Sequence, residues 1–237
     1  MFLGCFIHCK IKGIEILAVP SGMRWLVFAR ALFGFLSSMM AFAGIFYMPL
    51  SLAVVLYYTQ PISASVISYF FNNEPLSVLQ IFSILSSMLG VIFLSFPELL
   101  VPSLRGENTA QAERAAQYPH YELGVFLTLG GSICSGFAYL TMRKLGTTIS
   151  SVVTTLYFGL FSFPACFVTS LILGDKFNEE PENAGIAIVL LLLVGIFGWV
   201  AQEGVSKAVG LAPAARMAPI NYLQVVIAWL ADILLFD

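Results

Sequence analysis

The chain has 237 residues, of which 59% are hydrophobic and only 10% charged. Too few charged side chains remain to clothe a water-soluble surface, which excludes a soluble globular domain. A formal net charge of -2, with no basic tract and no interleaved aromatic-basic patch, excludes a nucleic-acid partner.

The chain opens on Met1 to Ile7, apolar but too short to span a bilayer. It lacks the basic leader and the small-residue cleavage site of a signal peptide, and it reads as the tail of a helix whose beginning is absent. Cys5, His8 and Cys9 could face one metal ion from such a helix, but no second ligand cluster exists. Small apolar filler is the plainer reading, and no metal or cofactor is expected.

A bilayer core about 30 Å thick needs about 20 apolar residues per helix. About seven runs meet that length: Trp25 to Tyr47, Leu50 to Phe71, Leu76 to Phe96, Tyr121 to Met142, Ser150 to Leu173, Ala184 to Val205, and Ala214 to Phe236. Several carry an interior Gly or Pro, which membrane helices tolerate. The polar segment Pro97 to His120 separates three runs from four. The expected fold is therefore an all-α, multi-pass integral membrane protein.

Orientation follows from the basic residues. Alternating spans place Lys10, Lys12, Arg24, Arg143, Lys144, Lys207 and Arg216 on one side. Arg105, Arg114 and Lys176 fall on the other, diluted among seven acidic residues from Glu98 to Glu182. The first side is expected to be cytoplasmic. Arg30 lies inside the first run, within snorkelling reach of its cytoplasmic end.

Polar side chains inside a span are costly, so each is a candidate site. Tyr57, Tyr58, Gln60 and Ser63 fall mid-run in the second run, and Asn221, Tyr222 and Gln224 mid-run in the seventh. Their amide, hydroxyl and phenol groups can bond a polar solute, and the rings add stacking area. The competing role is glue between helices, worth about 0.6–2 kcal/mol per bond. Glu203 and Lys207 are four apart with Glu first, the favourable helical order for a gating ion pair or a self-neutralised one. Gly130, Gly131, Ser132, Cys134, Ser135 and Gly136 have the spacing of close helix packing.

The two halves resemble each other. Shifted by 164 positions without a gap, Phe33-Gly34 meets Phe197-Gly198, Pro49 meets Pro213, Tyr58 meets Tyr222, Gln60 meets Gln224 and Ala64 meets Ala228. The paired segments enter the membrane from opposite sides, the pattern of inverted repeats in secondary transporters.

Tyr57 to Ser95, YYTQPISASVISYFFNNEPLSVLQIFSILSSMLGVIFLS, resembles the EamA pattern of the drug/metabolite transporter superfamily through Pro61, Glu74, Gln80 and Gly90-Val91. Ser83 stands where a Gly is usual. Phe197 to Phe236 is similar to the second EamA repeat through Gln202 to Ala208 and Asn221 to Val225, although Val225 replaces the repeat's Pro. The resemblance, to a solute carrier 35-like group, implies ten helices in two inverted repeats. Residues 1–96 would then hold a partial first repeat, with helices three to five and the end of helix two. Residues 97–120 would form a non-cytoplasmic loop, and 121–237 would hold helices six to nine. On that pattern the chain is incomplete at both ends.

The function the resemblance implies is movement of a small organic metabolite, nucleotide-sugar-like or amino-acid-like, by alternating access. The expected partners are that solute and the lipid bilayer, with a homodimer left open. A non-transporting membrane protein or fragment is the main competitor. A seven-helix receptor conflicts with an N-terminus on the basic side. No phosphate loop, zinc motif or nucleophile elbow suggests an enzyme.

Overall fold

The computed structural model describes residues 2–13, 19–48, 50–73, 118, 120–146, 148–173 and 184–212, with scattered positions between 77 and 89. Seven α-helices run through the described residues: α1 (Phe2–Ile11), α2 (Arg24–Tyr47), α3 (Leu50–Tyr57), α4 (Gln60–Asn72), α5 (Tyr121–Leu145), α6 (Ser151–Leu173) and α7 (Ala184–Leu211). The fold is all-α with several membrane spans. Four helical stretches are long and apolar enough to cross a bilayer: Ser21–Tyr47, Tyr121–Leu145, Ser151–Leu171 and Gly185–Leu211. At 1.5 Å per residue, the 24 residues of α2 reach about 36 Å, enough for a hydrocarbon core. Most of the Leu76 to Phe96 run, residues 97–117 and the final run lie outside the described residues.

Two runs differ from expectation. The run Ala184 to Val205 continues as helix to Leu211, so Glu203 and Lys207 both sit on α7. A helical ladder needs no apolar side chains, and Arg143 caps its end by donating from Nη1 to the Gly210 carbonyl oxygen at 3.0 Å. The run Leu50 to Phe71 is not one helix. It breaks at Tyr58 and Thr59 into α3 and α4.

The chain divides into two compact units. The first holds α1, the opening of α2, the end of α5, and α6 and α7. There α1 packs against α6 and α7. Cys5 and Cys9, four apart on α1, are wholly buried in a cluster with Val27, Leu145, Val152 and Leu156. That placement is the small apolar filler role. Close approach is built in at Gly210, where an added Cβ would sit 3.0 Å from the Gly146 carbonyl oxygen. Gly146 itself ends α5 at φ +50°, a left-handed conformation that glycine adopts without cost. Along α7, Leu190 to Val194 and Phe197 are exposed, an apolar surface suited to acyl chains.

The second unit holds the rest of α2, then α3, α4 and most of α5. The small-residue face of α5 is its seam. A Cβ on Gly131 would meet the Ser37 carbonyl oxygen of α2 at 3.0 Å. A Cβ on Gly136 would meet the Ala64 nitrogen of α4 at 3.0 Å. Helix backbones therefore touch where the spacing of small residues predicts.

Candidate functional site

The break in the second run positions a polar cluster of the second unit. Pro61 has no N–H, so the Tyr57 carbonyl loses its helical partner at this point. The Thr59 amide bonds the Leu56 carbonyl at 3.2 Å, a tighter turn than α-helix, and Thr59 then anchors α4 by accepting from the Ser63 amide at 3.1 Å. Two half-helices meet inside an apolar run. Transporter sites are commonly built at such interruptions, where backbone polar groups are freed.

Hydroxyls gather at the same place. Thr59 Oγ1 donates to the Leu56 carbonyl oxygen at 2.7 Å. Its own oxygen is then left to accept from Ser132 Oγ at 2.8 Å. The Ser132 oxygen in turn accepts from Ser63 Oγ at 3.1 Å, a shorter path for that proton than the Thr59 carbonyl at 3.4 Å. Ser135 Oγ donates to Gln60 Oε1 at 2.8 Å. One helix up, Ser37 Oγ lies 3.2 Å from the Tyr57 hydroxyl. Gln60 is 8% exposed. The expected site residues Tyr58, Gln60 and Ser63 thus come together at the break, with Tyr58 in the turn itself. Gln60 and Ser63 also bridge α4 to α5, as glue would. Thr59, Ser132 and Ser135 belong to the same cluster. The sequence offered a partial signal for them, a hydroxyl residue two before Pro61 and two serines within the small-residue stripe of 130–136, but not that the two would meet. Asn221, Tyr222 and Gln224 lie outside the described residues.

The first unit holds a second polar group. Arg30 does not extend outward along its span as snorkelling would require. It is 2% exposed, because the chain around it supplies partners inside the span. Its guanidinium lies over the Phe158 ring at 4.8 Å, and Nη2 donates to Gln202 Oε1 at 3.4 Å. A planar cation stacked on an aromatic face is worth about 0.5–2 kcal/mol, more as water is excluded.

Glu203 and Lys207 line one cavity of about 260 Å³ with His8 of α1, Lys12 in the turn after it, and Ser150 and Ser151 at the start of α6. His8 packs edge-on against Trp199, ring centroids 5.9 Å apart. Among the described residues, no group of three His, Cys, Asp or Glu side chains is set to hold a metal ion.

If Glu203 and Lys207 neutralise each other, Lys207→Met alone should destabilise the protein more than Glu203→Gln combined with Lys207→Met. Both face an open cavity, so the coupling should be small, about 0.3–0.5 kcal/mol. Denaturant midpoints of the four proteins of a double-mutant cycle measure it, and strict additivity would show two independent charges.

A family model described as the EamA-like transporter family matches residues 1–96 and 122–237. The chain belongs to the EamA-like transporter family. Among curated relatives, it is 23% identical over 237 residues to Solute carrier family 35 member G1 of Mus musculus, covering all of this chain and 61% of that protein. It is 22% identical over 233 residues to the Homo sapiens protein of the same name, covering 98% of this chain and 60% of the relative. It is 24% identical over 230 residues to the probable transporter vicT of Bipolaris victoriae, covering 97% and 64%. This EamA-like chain thus spans about three fifths of the length of these relatives. No solved structure matches it.

Proposed function

We propose that this EamA-like chain forms part of a secondary carrier. In it, a small polar organic solute moves across the membrane by alternating access between two inverted repeats. The observation that carries the proposal is the interruption at Tyr58 and Thr59. A polar cluster and a freed carbonyl are placed there inside an otherwise apolar run. Neutral donors and acceptors dominate this cluster, which suits hydroxyl-rich or amide-bearing metabolites, nucleotide-sugar-like or amino-acid-like. The ten-helix architecture belongs to the same proposal, as does convergence of Tyr58, Gln60 and Ser63 with Asn221, Tyr222 and Gln224 on one cavity. Glu203 and Lys207 would act at the cytoplasmic end as a gate.

The test separates solute contact from glue. A metabolite library is first screened for compounds that raise the thermal midpoint of the purified protein, since a ligand of the folded state stabilises it by mass action. Gln60→Leu and Gln224→Leu should each weaken the selected solute by about 5- to 150-fold, the equivalent of about 1–3 kcal/mol for one or two lost hydrogen bonds. Ser135→Ala removes only the interhelical donor to Gln60, so it should leave solute affinity within about threefold. If Ser135→Ala reproduced the loss, or if both Leu variants kept full affinity, these residues would be packing elements and the solute site would lie elsewhere.

A further inference from the structure

We propose that the cavity at the basic end of the first unit binds a phosphate-type anion, separately from the solute site at the α3–α4 break. Three helices converge there. Lys12 comes from the turn that follows α1, Lys207 comes from α7, and α6 presents its N-terminal turn through Ser150 and Ser151. The first α6 amide with a helical partner is that of Thr154, bonded to the Ser150 carbonyl at 3.2 Å. The amides of residues 151–153 before it have no partner within the helix and carry the positive end of a 23-residue helix dipole. Two ammonium groups and a helix N-terminus around one space form an environment for a multiply charged oxyanion. A second observation points the same way. His8 contributes to the wall, and its Nε2 is buried with no hydrogen-bond partner among the described residues. Burying such a nitrogen unpaired costs free energy that a ligand or bound water would recover.

Glu203 is the acidic residue of this wall, one turn before Lys207 on α7. It opposes an anion and competes with it for Lys207. It therefore gives the proposal a signed test: removing its charge must tighten binding. The cavity volume of about 260 Å³ accommodates a phosphate group with part of its ester. The Lys/Arg bias places this end in the cytoplasm, where two sources offer the same chemistry: a soluble phosphate ester or an anionic lipid headgroup.

The experiment uses the purified full chain and two probes. Inorganic phosphate is titrated calorimetrically in detergent at fixed salt. Phosphatidylinositol 4-phosphate is titrated into phosphatidylcholine nanodiscs, with bound lipid counted by native mass spectrometry. At least one probe should bind saturably. Lys12→Met and Lys207→Met should each weaken that binding by about tenfold or more, as expected for loss of a charge-assisted bond. Glu203→Gln should tighten it several-fold. Lys10→Met, on α1 but outside the cavity, should leave it unchanged. Phosphate binding identifies a soluble ester as the occupant, and lipid binding without phosphate binding identifies a headgroup. Absence of saturable binding by both probes overturns the site. So does an equal loss in Lys10→Met and Lys207→Met, which would reduce the effect to surface charge.

Discussion

Gly136→Val should destabilise the second unit by about 1–3 kcal/mol, the usual cost of forcing extra carbons into a filled interface. The Cβ alone would stand 3.0 Å from the Ala64 nitrogen and 3.0 Å from the Ser63 carbonyl carbon, both backbone atoms of α4. Backbone cannot swing aside as a long side chain can. The Ile67 Cδ1 methyl, 2.7 Å away, could move, but the α4 main chain must shift bodily. Such a shift would stretch the bond from Ser135 to Gln60, now 2.8 Å, and the bond from Ser63 to Ser132, now 3.1 Å. Because all of α4 moves and carries the Gln60 and Ser63 side chains with it, the substitution should lower the denaturant midpoint and solute affinity together. Gly185→Val is the matched control. A Cβ there meets nothing within 4 Å among the described residues, and the change should stay within about 0.5 kcal/mol. Equal midpoints for the two variants would mean that α4 and α5 do not pack backbone to backbone.

The same glycine stripe shows what the sequence made legible. Its spacing on an apolar run implied close packing without naming the partner helix, because spacing is local and partnership is tertiary. The boundaries of α2, α5 and α6 follow the apolar runs within a few residues, since hydrocarbon thickness fixes both. α7 outruns its apolar window by a turn and a half, because the count of apolar residues stops at Glu203 and Lys207 while the hydrogen-bond ladder does not. The break at Tyr58 and Thr59 was present in the sequence as Pro61. Hydropathy averages over a window and is blind to one missing N–H. Gly34 and Gly198 match in sequence under the 164-position shift, yet a Cβ on Gly34 collides with Arg30 and Phe158, whereas one on Gly198 meets nothing within 4 Å among the described residues. For Arg30, a position six residues into α2 allowed either snorkelling or burial. The choice was made by Phe158 and Gln202, more than 120 positions away in the chain.

That choice leads to a second large effect. Gly34→Ala should cost about 1–3 kcal/mol, although it adds a single methyl group. Gly34 lies one turn beyond Arg30 on α2, and its missing side chain is the space that the guanidinium occupies. The added Cβ would collide with Arg30 Nη1 and stand 2.9 Å from Phe158 Cε2. The Phe158 ring is buried at 7% exposure and has little room to yield, so the guanidinium must leave the ring face and the Gln202 oxygen. Moving a cation off these partners inside a span is expensive; placing Arg at the centre of a membrane helix costs about 2.5–3.5 kcal/mol even when it can reach for water. The cost should therefore depend on the charge at position 30. In an Arg30→Met background a flexible apolar side chain replaces the planar cation, and the penalty of Gly34→Ala should fall by about 1 kcal/mol or more. Denaturant unfolding of the wild type, the two single variants and the double variant in one detergent measures this coupling. The same penalty in both backgrounds would mean that Gly34 serves Phe158 alone, and that the position of Arg30 does not depend on the gap this glycine leaves.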